Sequence, residues 1–238
     1  MQLFCFTYAG GSADFYNQIE PFIASDIEVV KLEYSGHGKR RKEPNYESFN
    51  DLTEDMYSLI KEYMRVNENY ALMGYSMGSI VLVEVLSKIK KMEEINLPIH
   101  VFLAAHEPIN KKELIGFSSE ECDELIIDRT IKFGGIPQKL INNKSFWRVY
   151  LPVYRNDYSL IGRYDFNSLD LKCKVPATIL YSPTDTNPAD MRKWKNYFCG
   201  DIEFFEYDGS HFFIREYCKE ICSKINGILL REEKENEL

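Results

Sequence analysis

The stretch ALMGYSMGSIVLVEV, residues 71–85, places a serine between two glycines, with a short apolar run before it and helical spacing after it. Gly74, Ser76 and Gly78 form G-x-S-x-G, a pattern short enough to arise by chance, so its flanks decide its weight. A nucleophile elbow needs a strand, a sharp turn at the serine and then a helix, and YALMG followed by MGSIVLVEVLSKIK supplies that order. Glycines on either side leave room where strand and helix crowd the turn and keep the Ser76 hydroxyl accessible. The plainer alternative is a helix N-cap, a position that serine also favours.

Outward from the elbow, β-branched and aromatic residues cluster at 3–8, 27–34, 70–75, 99–105, 177–182 and 202–207, and each cluster reads as a strand. Segments with helical spacing lie between most of them, for example Phe49, Leu52, Met56, Leu59, Ile60 and Met64. That alternation predicts an α/β fold with a mostly parallel central sheet flanked by helices. Residues 110–170 break the rhythm, with helix-like pieces on either side of a GGIP turn and no convincing strand. This segment reads as a helical insertion over the strand ends. Its aromatic residues Phe146, Trp147, Tyr150, Tyr154 and Tyr158 either line a pocket there or pack a small core of their own. With no linker or repeat in 238 residues, the expectation is one domain over 1–238.

A net charge of −8 argues against nonspecific binding to nucleic acid or to anionic membranes. No apolar run approaches the roughly 18 residues of a membrane span. The chain enters its first strand without a signal-peptide pattern, which predicts a cytoplasmic protein. Six scattered cysteines without a CxxC pair predict reduced, mostly buried thiols rather than zinc or disulfides.

A serine hydroxyl needs a base, and His37, His100, His106 and His211 are the available histidines. His211, in YDGSHFF after the last strand, fits the chain order serine, acid, histidine, whereas His106 after the fourth strand is the rival. The acid must come from another loop at the same sheet edge. Asp185 in LYSPTDTNPAD fits, with Glu107 and Asp190 as alternatives. Two backbone N–H donors must meet the oxyanion. Met77 follows the nucleophile, and Ala9, beside Gly10 and Gly11, lies in the loop after the first strand.

With these pieces in order, the chain resembles the type II thioesterases that accompany nonribosomal peptide and polyketide synthases, members of the α/β-hydrolase superfamily. The resemblance runs nearly end to end, through LFCFTYAGGSADFY, EYSGHGKRRKEP, YALMGYSMGS, FGGIPQKL, LPVYRNDYSLIGRY, ILYSPTD and YDGSHFF. It implies an α/β-hydrolase fold with a lid insertion at about 110–170 and hydrolysis of acyl thioesters on the phosphopantetheine arm of carrier proteins. By motif position Ser76 is nucleophile, Asp185 acid, His211 base, and Met77 and Ala9 oxyanion donors. It further implies no cofactor, no metal, and a monomer that meets its carrier domains transiently. Three positions depart from the family pattern: Thr7 and Ser35 where proline is usual, and Tyr75 where histidine often precedes the serine. They bear on the shape of the access loops more than on the chemistry.

GHGKRRKEP gathers Lys39, Arg40, Arg41 and Lys42 in an otherwise acidic chain, after the second strand and so on the predicted active-site side. Such a cluster would attract the pantetheine phosphate or an acidic face of the carrier; a solvated basic loop is the alternative. A carboxylesterase or acyltransferase acting on small esters could use the same machinery, and a non-catalytic binding protein could keep the fold alone.

Overall fold

The computed structural model describes residues 1–118 and 122–236. The six apolar runs form six strands: β1 Gln2–Phe6, β2 Glu28–Leu32, β3 Tyr70–Tyr75, β4 His100–Ala104, β5 Ala177–Tyr181 and β6 Ile202–Glu206. They pair in the order β2-β1-β3-β4-β5-β6, and every neighbouring pair is parallel. The first ladder stops at Phe6, short of the predicted end at residue 8, because the chain turns there and Gly11 N–H closes onto the Tyr8 carbonyl at 3.0 Å.

The helices are α1 Phe49–Tyr63, α2 Met77–Met92, α3 Asp123–Phe133, the single turn α4 Gln138–Ile141, α5 Lys144–Arg163, the single turn α6 Pro188–Met191, and α7 Cys218–Asn236. Alternate strand residues serve opposite faces, as the pleat requires. Phe4, Phe6 and Leu72 pack with α1 and α2, while Leu3, Cys5 and Met73 pack with α7 and the 3-10 turn Ala13–Gln18. Both faces of β1 and β3 are therefore apolar, the usual state of a fully parallel sheet. Buried thiols at Cys5, Cys173, Cys218 and Cys222 belong to this packing.

From β1 the chain passes to β2 on one side and then to β3 on the other. The strand order thus reverses between β1 and β3, and a crevice opens at their carboxyl ends. The loop after β1 and the turn at Ser76 face each other across it. At that turn Ser76 adopts φ 55° and ψ −119°, a conformation that costs about 1–3 kcal/mol. The strain is held by Ser76 N–H donating to the Ala104 carbonyl at 2.8 Å, and by Ser79 Oγ, which lies 3.0 Å from the Gly74 carbonyl and 2.9 Å from that of Ala104.

Between β4 and β5 lie α3, α4 and α5, with no strand among the described residues of 110–170. Helix α5 lies so close to the 3-10 turn Lys112–Ser118 that a Cβ on Gly162 would fall 2.5 Å from Ile115 N. Among the described residues, no helix is long and apolar enough to cross a membrane.

A Cβ on Gly78 would sit 2.1 Å from the Phe6 carbonyl oxygen, a collision with backbone that cannot move aside. Gly78→Ala is expected to lower the unfolding free energy by about 3 kcal/mol in urea titration. Gly227→Ala in α7, with no heavy atom within 4 Å of the new methyl, is expected to raise it by about 0.5–1 kcal/mol. Equal effects would contradict this account of the elbow.

Candidate active site

Three strand ends bring the predicted residues together. Ser76 stands at the end of β3, Asp185 in the loop after β5 and His211 in the loop after β6. His211 Nδ1 lies 2.8 Å from Asp185 Oδ2, and His211 Nε2 lies 2.9 Å from Ser76 Oγ. A carboxylate only accepts, so the ring proton belongs on Nδ1, and Nε2 is left to accept from the serine hydroxyl. The side chains of His211 and Asp185 are only 9% and 8% exposed, which keeps competing water from both. The two loops are stitched to each other, because Ser182 Oγ and Thr184 Oγ1 both donate to the Gly209 carbonyl, at 2.6 and 2.5 Å.

The rival residues are engaged elsewhere. His106 donates from Nδ1 to the Glu107 carbonyl at 2.7 Å, and burial pushes its pKa down to about 4. Glu107 pairs with Lys111, and Asp190 pairs with Lys193 at 2.6 Å. His100 sits at the opposite edge of the sheet, between Glu232 and Thr178.

Met77 is the first residue of α2, where a backbone N–H has no acceptor within the helix. Ala9 lines the same cavity as Ser76, His211 and Asp185, a space of about 550 Å³. The segment between β4 and β5 walls this cavity with Arg129, Thr130, Phe133, Tyr154 and Tyr158. Phe133 lies against the His211 ring with centroids 4.5 Å apart. Of the five aromatic residues singled out there, Tyr154 and Tyr158 line the cavity, Trp147 is buried in the core and Tyr150 is exposed. Among the described residues, no group of three His, Cys, Asp or Glu could hold a metal ion.

Within the basic loop, Arg40 is bound by its own chain. Its guanidinium contacts Asp55 and Glu43 at 2.6 Å each and donates to the Glu33 carbonyl at 3.0 Å. Lys39, Arg41 and Lys42 are exposed, with no ion pair among the described residues. The two proline departures supply hydrogen bonds: Thr7 Oγ1 donates to the Ser12 carbonyl at 3.3 Å and Ser35 Oγ to that of Pro44 at 2.6 Å.

Sequence reasoning missed two residues beside the site. Asp157 of α5 is fully buried, accepting from Gly10 N–H at 2.6 Å and facing His37 Nε2 at 2.9 Å. The available signal was periodicity: Trp147, Leu151, Tyr154 and Tyr158 mark the buried stripe of α5, and a carboxylate at 157 falls beside it.

The family profile described as Thioesterase domain matches residues 1–229. Gramicidin S biosynthesis protein GrsT of Aneurinibacillus migulanus is 24% identical over 221 residues, covering 91% of this chain and 84% of GrsT. Thioesterase TesA of Mycobacterium marinum is 26% identical over 94% of this chain and 88% of its own. ClbQ from the colibactin NRPS/PKS pathway, a solved structure, superposes with a TM-score of 0.88 over 98% of each chain at 22% identity, a likeness of fold.

Tyr75, the residue before the candidate nucleophile, donates its hydroxyl to the His211 carbonyl at 2.6 Å. Burial raises this phenol well above its ordinary pKa, so it remains a donor at any working pH. Tyr75→Phe leaves that carbonyl unsatisfied, with an expected loss of about 1–2 kcal/mol in stability and a several-fold fall in kcat. Chemical denaturation and steady-state kinetics check both, and unchanged values would show that the contact does not hold the His211 loop.

Proposed function

The chain belongs to the thioesterase family, and from that premise we propose that it is a type II thioesterase, hydrolysing acyl thioesters carried on the phosphopantetheine arm of synthase carrier domains. The observation that carries this reading is His211, within hydrogen-bond reach of both Ser76 and Asp185 at the base of a cavity covered by the 110–170 segment. Residues 1–238 are read as one α/β-hydrolase domain, and that segment as its lid. GrsT is named for gramicidin S biosynthesis and ClbQ for an NRPS/PKS pathway, which supports nonribosomal peptide or polyketide carrier domains as the partners. The encounter is transient, between a monomer and a carrier domain in the cytoplasm.

In this mechanism Ser76 Oγ attacks the thioester carbonyl as His211 Nε2 takes its proton, and Asp185 stabilises the imidazolium. The carbonyl electron pair moves onto oxygen, where the Ala9 and Met77 amides receive it. Collapse expels the pantetheine sulfur, which takes the proton from His211 and leaves an acyl ester on Ser76. A thiolate is a far weaker base than an alkoxide or an amide anion, so this departure needs little general-acid help. Water, deprotonated by His211, then attacks the ester, and Ser76 recovers its proton as the free acid leaves.

Mass spectrometry of an acyl-loaded carrier protein tests the reading. The native chain is expected to remove the acyl mass and return the bare pantetheine arm, and Ser76→Ala to lower turnover by about 10⁴-fold or more. If the acyl group stays in place while a simple ester is cleaved, the serine chemistry stands and the carrier assignment falls.

Lys39, Arg41 and Lys42 lie in the loop after β2, on the crevice edge of the sheet, and their role in this reading is to attract the pantetheine phosphate or the carrier's acidic face. Replacing all three with Ala is expected to raise KM for the loaded carrier about fivefold at low salt, with the difference vanishing at high salt. An unchanged KM at low salt would make the loop a solvated surface.

A further inference from the structure

The lid reaches into the catalytic floor through one helix. On α5, Tyr154 lies over Gly10 so closely that a Cβ there would fall 2.0 Å from the Tyr154 ring. One helical turn on, Asp157 Oδ2 accepts from Gly10 N–H at 2.6 Å. The same oxygen faces His37 Nε2 at 2.9 Å, while His37 Nδ1 lies 2.9 Å from the Ser35 carbonyl. The Ser35 carbonyl only accepts, so Nδ1 carries a proton, and the Asp157 carboxylate favours a second proton on Nε2. Burial works against that charge, and the Asp157 carboxylate with the Ser35 carbonyl outweighs it, leaving the His37 pKa raised.

A buried ion pair is poor value for stability alone, since apolar packing of similar volume often serves as well. Its geometry here has a more specific consequence. Residues 8–11 form a turn closed by Gly11 N–H onto the Tyr8 carbonyl at 3.0 Å, with Gly10 at φ 72° in the third position. That φ marks a type II turn, which differs from type I chiefly in a flip of the central peptide. The central peptide is Ala9–Gly10, and its N–H is the one that Asp157 holds. The Ala9 N–H belongs to the preceding Tyr8–Ala9 peptide of the same closed turn, so anchoring the turn at Gly10 anchors the Ala9 amide with it.

We propose that Asp157, held by His37, is a positioning residue that anchors the 8–11 turn, so that the Ala9 amide is presented to the oxyanion only while the lid helix α5 is seated. The inference rests on the reading of Ala9 as an oxyanion donor in a Ser76 thioesterase. Under it, a carrier arm that displaces α5 on entering meets an incomplete site, and closure of the lid over the acyl group completes it.

The test compares native protein, Asp157→Leu and Asp157→Asn on an acyl-loaded carrier, with affinity for a trifluoromethyl ketone as a reporter of the oxyanion site. Leucine keeps the branched shape and removes the acceptor. Its kcat is expected to fall about 100-fold with KM within about twofold, and ketone affinity to fall in parallel. Asparagine still offers Gly10 N–H an oxygen, without the charge, so it is expected to recover kcat to within about fivefold of native. A leucine variant within twofold of native kcat would overturn the proposal, as would equal losses in the two variants or a loss confined to KM. Should the leucine variant fail to fold, Asp157→Ala takes its place as the variant without an acceptor, and native kcat with native ketone affinity in it would overturn the proposal. Turnover that survives Ser76→Ala would instead sink the parent reading, an outcome that no Asp157 variant can imitate.

Discussion

Helix α2 can begin at the carboxyl end of β3 only because nothing stands between Gly78 and the Phe6 carbonyl, 2.1 Å from where a Cβ would lie. Gly74 meets the same restriction from the other side, where a Cβ would fall 2.3 Å from the Gly78 carbonyl oxygen. Strand β1, strand β3 and helix α2 therefore touch backbone to backbone. Two further features depend on that contact. Ser76 is held at φ 55°, lifted clear of both the ladder and the helix, and the loop after β1 is brought to the start of α2. Met77 and Ala9 belong to those two segments, so the spacing of a pair of amides follows from the packing of a pair of glycines.

His211 and Asp185 arrive from strands farther along the sheet, and their loops carry no such backbone contact. Side-chain bonds take its place. Tyr75 fastens the His211 carbonyl to the end of β3, while Ser182 and Thr184 fasten the acid's loop to Gly209. The Tyr75 bond is buried and the Ser182 bond half-buried, and together with Thr184 they satisfy the carbonyls of His211 and Gly209. A tyrosine at 75 thus does structural work, in a place where the family often has histidine.

What was legible in the sequence and what was not divides along the range of the interaction. The six strands, the elbow and the helical pieces of residues 110–170 are local patterns of period two or 3.6, and residues near one another in the chain determine them. Ser76, Asp185 and His211 were legible because all three follow strands, and a parallel sheet gathers such loops at one edge. The pairing of Asp157 with His37 was not, because it spans 120 residues and joins α5 to a loop after β2, which no local pattern encodes. Arg40 shows the limit from the other direction. Its charge was plain in the sequence, but only the fold reveals that Asp55 and Glu43 have already taken it.

The chemistry proposed here also explains where selectivity must reside. All acyl groups on a carrier share one pantetheine leaving group, so the leaving group cannot tell one acyl chain from another. In that chemistry the choice falls to the cavity, to whose wall residues 110–170 contribute Arg129, Phe133, Tyr154 and Tyr158. Arg129 lies 5.2 Å from the Phe133 ring centroid and 5.8 Å from that of Tyr158, and Phe133 in turn lies against His211. A guanidinium layered on two rings is a stiff wall. The Phe133 ring thus touches both Arg129 and His211, so one side chain joins the cavity wall to the candidate base.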